Sequence, residues 1–279
     1  MLVNLNKVLP EAKEKGYAVG AFNVYSMETV QIVYQAAQEQ NMPVIIAFGE
    51  KYANSADLYL IAEMVKELTK RNSLPVSLHL DHCASKDLII KAIQAGFTSV
   101  MYDGSDLSFE ENLKNTTEIV EIAHAADVTV EAELGYIPME DTGEGIHKEQ
   151  LTKVDEAKKF VEETKCDALA VAVGTIHGNY SGEPKIYHDR LTKIAEEVDI
   201  PLVLHGGSGN TEKDLKKAIS EGVSKINVNT AISNAAVKTL GEMIEENKDY
   251  HFSNYLSAVQ DPMKEVVKDH MKMFANNNF

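Results

Sequence analysis

The chain has 279 residues, 44% of them hydrophobic, and 43 acidic against 27 basic side chains give it a formal net charge of −16. This length suits one barrel-sized α/β domain spanning 1–279, while the acid excess argues against a nucleic-acid surface, where clustered cations must displace counterions. No run approaches the roughly 20 apolar residues that span a bilayer, so no membrane association is expected. Cys83 and Cys166 are too few for a disulfide framework, and the opening MLVNLNKVLPEAKEKG has no signal-like apolar run; a cytoplasmic setting is expected.

In chain order, short apolar runs alternate eight times with longer amphipathic segments, the pattern of βα repetition around a parallel sheet. Strands are expected at 18–23, 43–48, 75–81, 98–103, 128–134, 167–173, 201–205 and 224–229. Eight such units predict an α/β fold, a closed (β/α)8 TIM barrel with a C-terminal helical tail. Pro43, Pro75 and Pro201 fall at strand starts, where a missing N–H costs no ladder bond. Ser26, Asp189 and Thr211 read as helix N-terminal signals. In 63–70, Met64, Val65 and Leu68 form one apolar stripe, as expected of a helix packed on the outside of a barrel. Two connections break the rhythm: 135–150 after the fifth strand, a candidate lid, and 177–188 after the sixth.

Polar residues sort to one place in these units. Asn23, Asp81 with His82, Asp103, Glu133, His177, His205, and Asn227 with Asn229 all fall at or just beyond strand C-terminal ends, the face that carries the active site in such barrels. His82, His177 and His205 are three of nine histidines. Three imidazoles with open coordination positions describe a catalytic divalent site, and Zn²⁺ is the first choice on ligand type, although the spacing matches no contiguous zinc motif. His79, inside the third strand, is expected to be a satisfied interior residue, and Cys83 a packed thiol rather than a ligand.

The segment HGGSG at 205–209 sets glycines and a serine between the seventh strand and a helix opening near Thr211, and NVNT at 227–230 leads from the eighth strand into the next helix. Loops in these two places are the recurrent phosphate cradle of the barrel, offering free N–H donors at a positive helix end. Net negative charge does not forbid such a local site.

These segments carry a resemblance. GYAVGAFN (16–23), LHLDH (78–82), AGFTSVMYDGS (95–105), VEAELG (130–135), AVGTIHGNY (172–180), LVLHGGSG (202–209) and KINVNT (225–230), in this order, resemble the class II, metal-dependent fructose-bisphosphate and tagatose-bisphosphate aldolases, from residue 16 to about residue 273. The resemblance implies a lyase whose catalytic Zn²⁺ is held by His82, His177 and His205. It implies Asp81 as the acid/base group at the C4 oxygen of the ketose, and Asp103 and Glu133 as supporting or alternative metal carboxylates. Gly178, Gly206, Gly207, Ser208, Asn227, Val228, Asn229 and Thr230 would contact the dihydroxyacetone phosphate half, with Asn23 beside them, and Gly178 and its neighbours would line a monovalent cation site for Na⁺ or K⁺. Glu140, on the lid, is the candidate for the second proton transfer. A phosphorylated sugar substrate and a homodimer or homotetramer are implied in the same way.

Three rivals are weighed against this. A Schiff-base aldolase needs a strand lysine, and the expected strands contain only Lys225, at the wrong end of its strand. A barrel metallohydrolase would also gather histidines at strand ends, but has no need of the phosphate loops. A silent sugar-phosphate-binding protein has no need of Asp81. Departures from the family pattern concern the substrate more than the mechanism. Asp106 stands where many relatives have His, Gly49 where many have Ser, and the lid lacks a Gly-Gly pair. The two arginines, Arg71 and Arg190, both fall on predicted helices, and 248–263, where relatives commonly supply an arginine for the second phosphate, has none. Arginine is the favoured bidentate phosphate partner, so the aldehyde half is expected to be held loosely and to include unphosphorylated aldehydes.

Overall fold

The computed structural model describes residues 1–138, 148–180, 182 and 184–279. Eight parallel strands close into a barrel in sequence order: β1 Val19–Asn23, β2 Val44–Gly49, β3 Val76–Cys83, β4 Ser99–Tyr102, β5 Thr129–Leu134, β6 Ala168–Val171, β7 Leu202–Leu204 and β8 Val223–Val228, with β8 pairing back to β1. Each expected strand is present. Those expected to begin at proline begin one residue later, at Val44, Val76 and Leu202, because proline brings only a carbonyl to the ladder; Pro75 and Pro201 accept from the amides of Val44 and Leu169. β6 and β7 are shorter than expected, so His205 lies just past its strand.

Strand alternation divides the side chains into two layers. Outward residues such as Val44, Ile46, Phe48, Leu78, Leu80, Val130, Leu169 and Ile226 join the core between strands and helices. At the bottom, Val19, Ala21, Ile45, Ala168, Ala170 and Val203 pack against Leu9 and Ala12 of the helix Leu9–Lys15, which plugs the barrel. Above this plug the inward residues turn polar: Ser77, His79, Ser99, Glu131 and Lys225 are fully buried.

The surrounding helices start where side-chain caps satisfy their first amides. Ser26, Ser85, Ser108 and Thr211 each accept from a backbone N–H in the first turn. Asp189 does not cap: the helix His188–Glu197 begins one residue earlier, with Tyr187 at the cap position, and Asp189 sits in its first turn. The helical tail comprises Thr230–Glu246, Phe252–Ala258 and Gln260–Phe274; Phe274 accepts from the Ala18 amide at 3.0 Å and so ties the tail to the foot of β1. No helix among the described residues is long and apolar enough to cross a membrane.

Candidate active site

Consecutive residues of a regular strand face opposite ways, yet Asp81 and His82 both line the same pocket at the barrel mouth. The reason is a register shift in β3. Leu80 pairs with Val100 and Cys83 with Tyr102, so one extra residue is accommodated on β3, and His82 takes a left-handed backbone with φ 46°. The irregularity turns both side chains toward the rim.

The pocket, about 400 Å³, is lined by Asn23, Asp81, His82, Asp103, His177, Gly178, Gly206, Ser208, Asn227, Asn229 and Thr230, together with Gly49, Glu50 and Lys51. The ligating atoms of His82, His177 and His205 lie within 4.8 Å of one another, as do those of His82, Asp103 and Glu133. His82 donates Nδ1–H to Asp103 Oδ2 at 2.7 Å, leaving Nε2 for the centre. His205 donates Nε2–H to Glu131 Oε1 at 2.8 Å, leaving Nδ1. A carboxylate behind each ring fixes its tautomer and aims its lone pair, as around metal-bound histidines.

The orphaned atoms agree with a cation. Nε2 of His177 and Oε2 of Glu133 are buried without a hydrogen-bond partner, an arrangement that costs free energy unless something satisfies it. Burial, then the charge of His82, lowers the basicity of both His177 and His205, so both stand as neutral imidazoles. Burial alone would also lower His82, but Asp81, Asp103 and Glu133 raise it to about 9. Glu133 is raised by burial and by Asp103. The donor set of three imidazoles with two nearby carboxylates fits zinc.

Asp81 is held from both sides. Asn23 donates to its Oδ2 at 2.8 Å and Asn227 to its Oδ1 at 2.9 Å. Burial would raise this carboxyl, but the charges of His82, His205 and Lys225 hold it well below the usual range, so it enters the site ionised.

Of the residues expected to cradle phosphate, Gly178, Gly206, Ser208, Asn227, Asn229 and Thr230 line the pocket. Gly206 has φ +65°, and a Cβ there would lie 2.1 Å from the Ile176 carbonyl oxygen, so only glycine lets the loop pass at this point. Ser208 Oγ accepts from the Ala231 amide at 3.3 Å, joining this loop to the start of Thr230–Glu246. Asn229 gives its amide to the Tyr52 hydroxyl at 2.9 Å instead of capping that helix, and the uncapped end opens on the pocket through Thr230. Gly207 and Val228 are not among the residues lining the pocket. Gly207 donates its N–H to the Asn227 carbonyl at 3.2 Å, and Val228 buries its side chain in the outer core, since it alternates with the inward Asn227.

Glu140 and most of the expected lid lie outside the described residues. Arg71 lies beyond the end of the helix Leu58–Thr69 rather than on it, and Arg190, on its helix, donates to the Thr152 carbonyl at 2.8 Å; neither lines the pocket. Sequence reasoning missed Lys51 and Glu50, in the short helical turn after β2. It also missed Glu131, although TVEAEL in β5 places Glu131 and Glu133 two apart on one strand face. Lys225 lies short of the rim as expected, yet it points into the interior and pairs with Glu131 Oε2 at 2.8 Å. His79 is only half satisfied: Nδ1 meets Ser99 Oγ at 2.8 Å, while Nε2 has no hydrogen-bond partner.

The fold and this site together define a (β/α)8 barrel enzyme with a histidine cluster at its catalytic face. Comparison with known proteins is specific: the chain belongs to the class II fructose-bisphosphate aldolase family, which it matches over residues 3–278. It is 40% identical to fructose-bisphosphate aldolases of Staphylococcus aureus, over 99% of this chain and 98% of that protein, and of Staphylococcus epidermidis, with the same coverage. Among solved structures, the YdjI aldolase of Escherichia coli K12 superposes with a TM-score of 0.88 at 36% identity, covering 99% of this chain and 98% of that one. The protein is therefore an aldolase-family lyase.

Proposed function

We propose that this chain is a zinc-dependent ketose-bisphosphate aldolase. It reversibly cleaves fructose 1,6-bisphosphate, or a close ketose such as tagatose 1,6-bisphosphate, to dihydroxyacetone phosphate and glyceraldehyde 3-phosphate. The observation that carries this reading is the cluster of His82, His177 and His205, two of whose members, His82 and His177, line one pocket with an ionised, doubly anchored Asp81. His82, His177 and His205 would hold the zinc, which when bound would supply Lewis-acid charge toward the negative charge left when C3–C4 breaks.

Asp81 takes the C4 hydroxyl proton in cleavage and returns it in condensation. Asn23 and Asn227 each occupy one of its oxygens, which fixes the carboxylate plane while leaving further lone pairs for substrate. The phosphate of the dihydroxyacetone half docks at Gly206, Ser208 and the start of Thr230–Glu246, where amide dipoles favour an anion. Glu140 handles the proton on the enediolate carbon, and Gly178 belongs to the monovalent cation site. The working assembly is a cytoplasmic homodimer or homotetramer; the exposed Val237, Ile244 and Phe252 on the tail helices support association.

One observation favours a second reading of the aldehyde half. Among the described residues lining the pocket, Lys51 is the sole Lys or Arg, so the enzyme also accepts unphosphorylated aldehydes. A coupled assay of dihydroxyacetone phosphate release across a panel of ketose phosphates tests the whole reading. Release that is lost with EDTA and restored by Zn²⁺ is expected. Inorganic phosphate or another hydrolytic product instead would mean a metallohydrolase, and binding without turnover a sugar-phosphate-binding protein.

A further inference from the structure

Beneath the pocket, one buried side chain touches both halves of the catalytic apparatus. Lys225 Nζ lies 2.8 Å from Glu131 Oε2 and 3.1 Å from Glu131 Oε1. It also donates to Asn227 Oδ1 at 2.6 Å. Glu131 Oε1 accepts from His205 Nε2–H, and Asn227 Nδ2 donates to Asp81 Oδ1. A continuous path therefore runs from His205 through Glu131, Lys225 and Asn227 to Asp81.

We infer that Lys225 is a positioning residue that sets the metal ligand His205 and the acid/base carboxylate Asp81 in one mutual geometry. This rests on the reading of His205 and Asp81 given above.

The argument is one of direction. An Asn amide can turn either end toward a carboxylate, and only its NH₂ end attracts one. Lys225, an obligate donor, binds the oxygen end and so commits the NH₂ end to Asp81. On its other side the same ammonium holds the Glu131 carboxylate under the imidazole of His205, and a hydrogen-bonded carboxylate behind a metal-bound histidine orients the ring and raises its basicity. Lys225 and Glu131 are both fully buried, with no solvent to take over either task. Ionic groups inside a barrel gain little stability over apolar replacements, so their arrangement points to orientation. The same contacts exclude Lys225 as a Schiff-base nucleophile, since its ammonium is engaged by Glu131 and Asn227 below the pocket.

The test measures metal and turnover separately. In Lys225→Met, zinc affinity from chelator competition falls 10- to 100-fold, the range for lost supporting partners of metal ligands. The visible spectrum of the Co²⁺-substituted protein changes, and kcat at saturating metal drops at least about tenfold through Asp81. Should Lys225→Met fail to fold because Glu131 is left buried and unpaired, the charge-neutral Glu131→Gln/Lys225→Met protein carries the same expectations. A folded variant with unchanged zinc affinity and cobalt spectrum overturns the inference, as does loss of only one of the two functions. A mere packing role would lower the melting temperature and leave the cobalt spectrum unmoved. The affinity and the spectrum need no substrate, so they fail or succeed independently of the ketose assay.

Discussion

His82 Nε2 and His205 Nδ1 face each other at 2.6 Å, while the far nitrogen of each ring is engaged by a carboxylate, Asp103 at 2.7 Å and Glu131 at 2.8 Å. A proton on His82, raised to about 9, bridges the two nitrogens here, and a metal ion held by both rings would take the place of that proton. Chelation should therefore lower thermal stability as well as activity. Metal at a hundredfold excess over its dissociation constant contributes roughly 2.7 kcal/mol, which calorimetry in EDTA and in Zn²⁺ would register as a shift of several degrees. A melting temperature indifferent to zinc would contradict the metal assignment.

Asp81→Asn removes the base but keeps an oxygen for one anchoring amide. We expect kcat to fall by about 10²- to 10⁴-fold, the usual contribution of a positioned acid/base group, with zinc content by elemental analysis unchanged. Full activity in this variant would transfer the proton role to another group.

Among the described residues, Lys51 brings the one Lys or Arg charge to the pocket lining, and an exposed lysine holds an anion as a point charge rather than bidentately. Lys51→Met should reduce kcat/KM for glyceraldehyde 3-phosphate by about fivefold or less, equivalent to roughly 1 kcal/mol, while leaving unphosphorylated aldehydes unaffected. In the wild type, a preference for the phosphorylated aldehyde by several orders of magnitude would refute the loose-grip reading.

At Gly206 the backbone carries φ +65° and the Ile176 carbonyl occupies the space of a side chain. Gly206→Ala must move this loop, which follows His205 directly. Left-handed strain alone costs roughly 1–3 kcal/mol, so both the melting temperature and zinc affinity should fall. Retention of both would show that the loop relaxes without disturbing the histidine.

Burial raises the thiols of Cys83 and Cys166 to about 12. Both should resist iodoacetamide at pH 8 in the native protein and react in urea, because the thiolate is the nucleophile. The linkage has a definite sign. Above the ordinary thiol value of about 8.5, the unfolded chain sheds these protons before the folded one does, so the two thiols make stability decline as pH rises. Rapid native labelling at pH 8 would show that these sites open readily.

Much of this was legible because barrel strands announce themselves as apolar runs and because their ends gather polar residues. The histidines and Asp81 could be placed at the rim without coordinates. The paired turn of Asp81 and His82 could not, since it depends on a one-residue slip between β3 and β4 that no local pattern records. The Glu131–Lys225 pair was missed for a different reason. Each residue sits mid-strand, where a charge reads as a solvent-facing position until closure of the barrel turns it inward. Reading 129, 131 and 133 as one face of β5, opposite His79 and Lys225, was the available signal. The cap expected at Asp189 lies two residues earlier, at Tyr187, because Asp is equally at home in a helix's first turn and at its cap.

The joint between β1 and β8 pairs residues 19–22 with 225–228, and Phe274 then fastens to Ala18. During synthesis the first strand must wait, with one row of hydrogen-bonding groups unmatched, until the eighth strand has left the ribosome. Such an open edge invites pairing with the wrong chain. The same closure that presents eight strand ends to a substrate therefore makes the newborn protein dependent on whatever shields it in that interval.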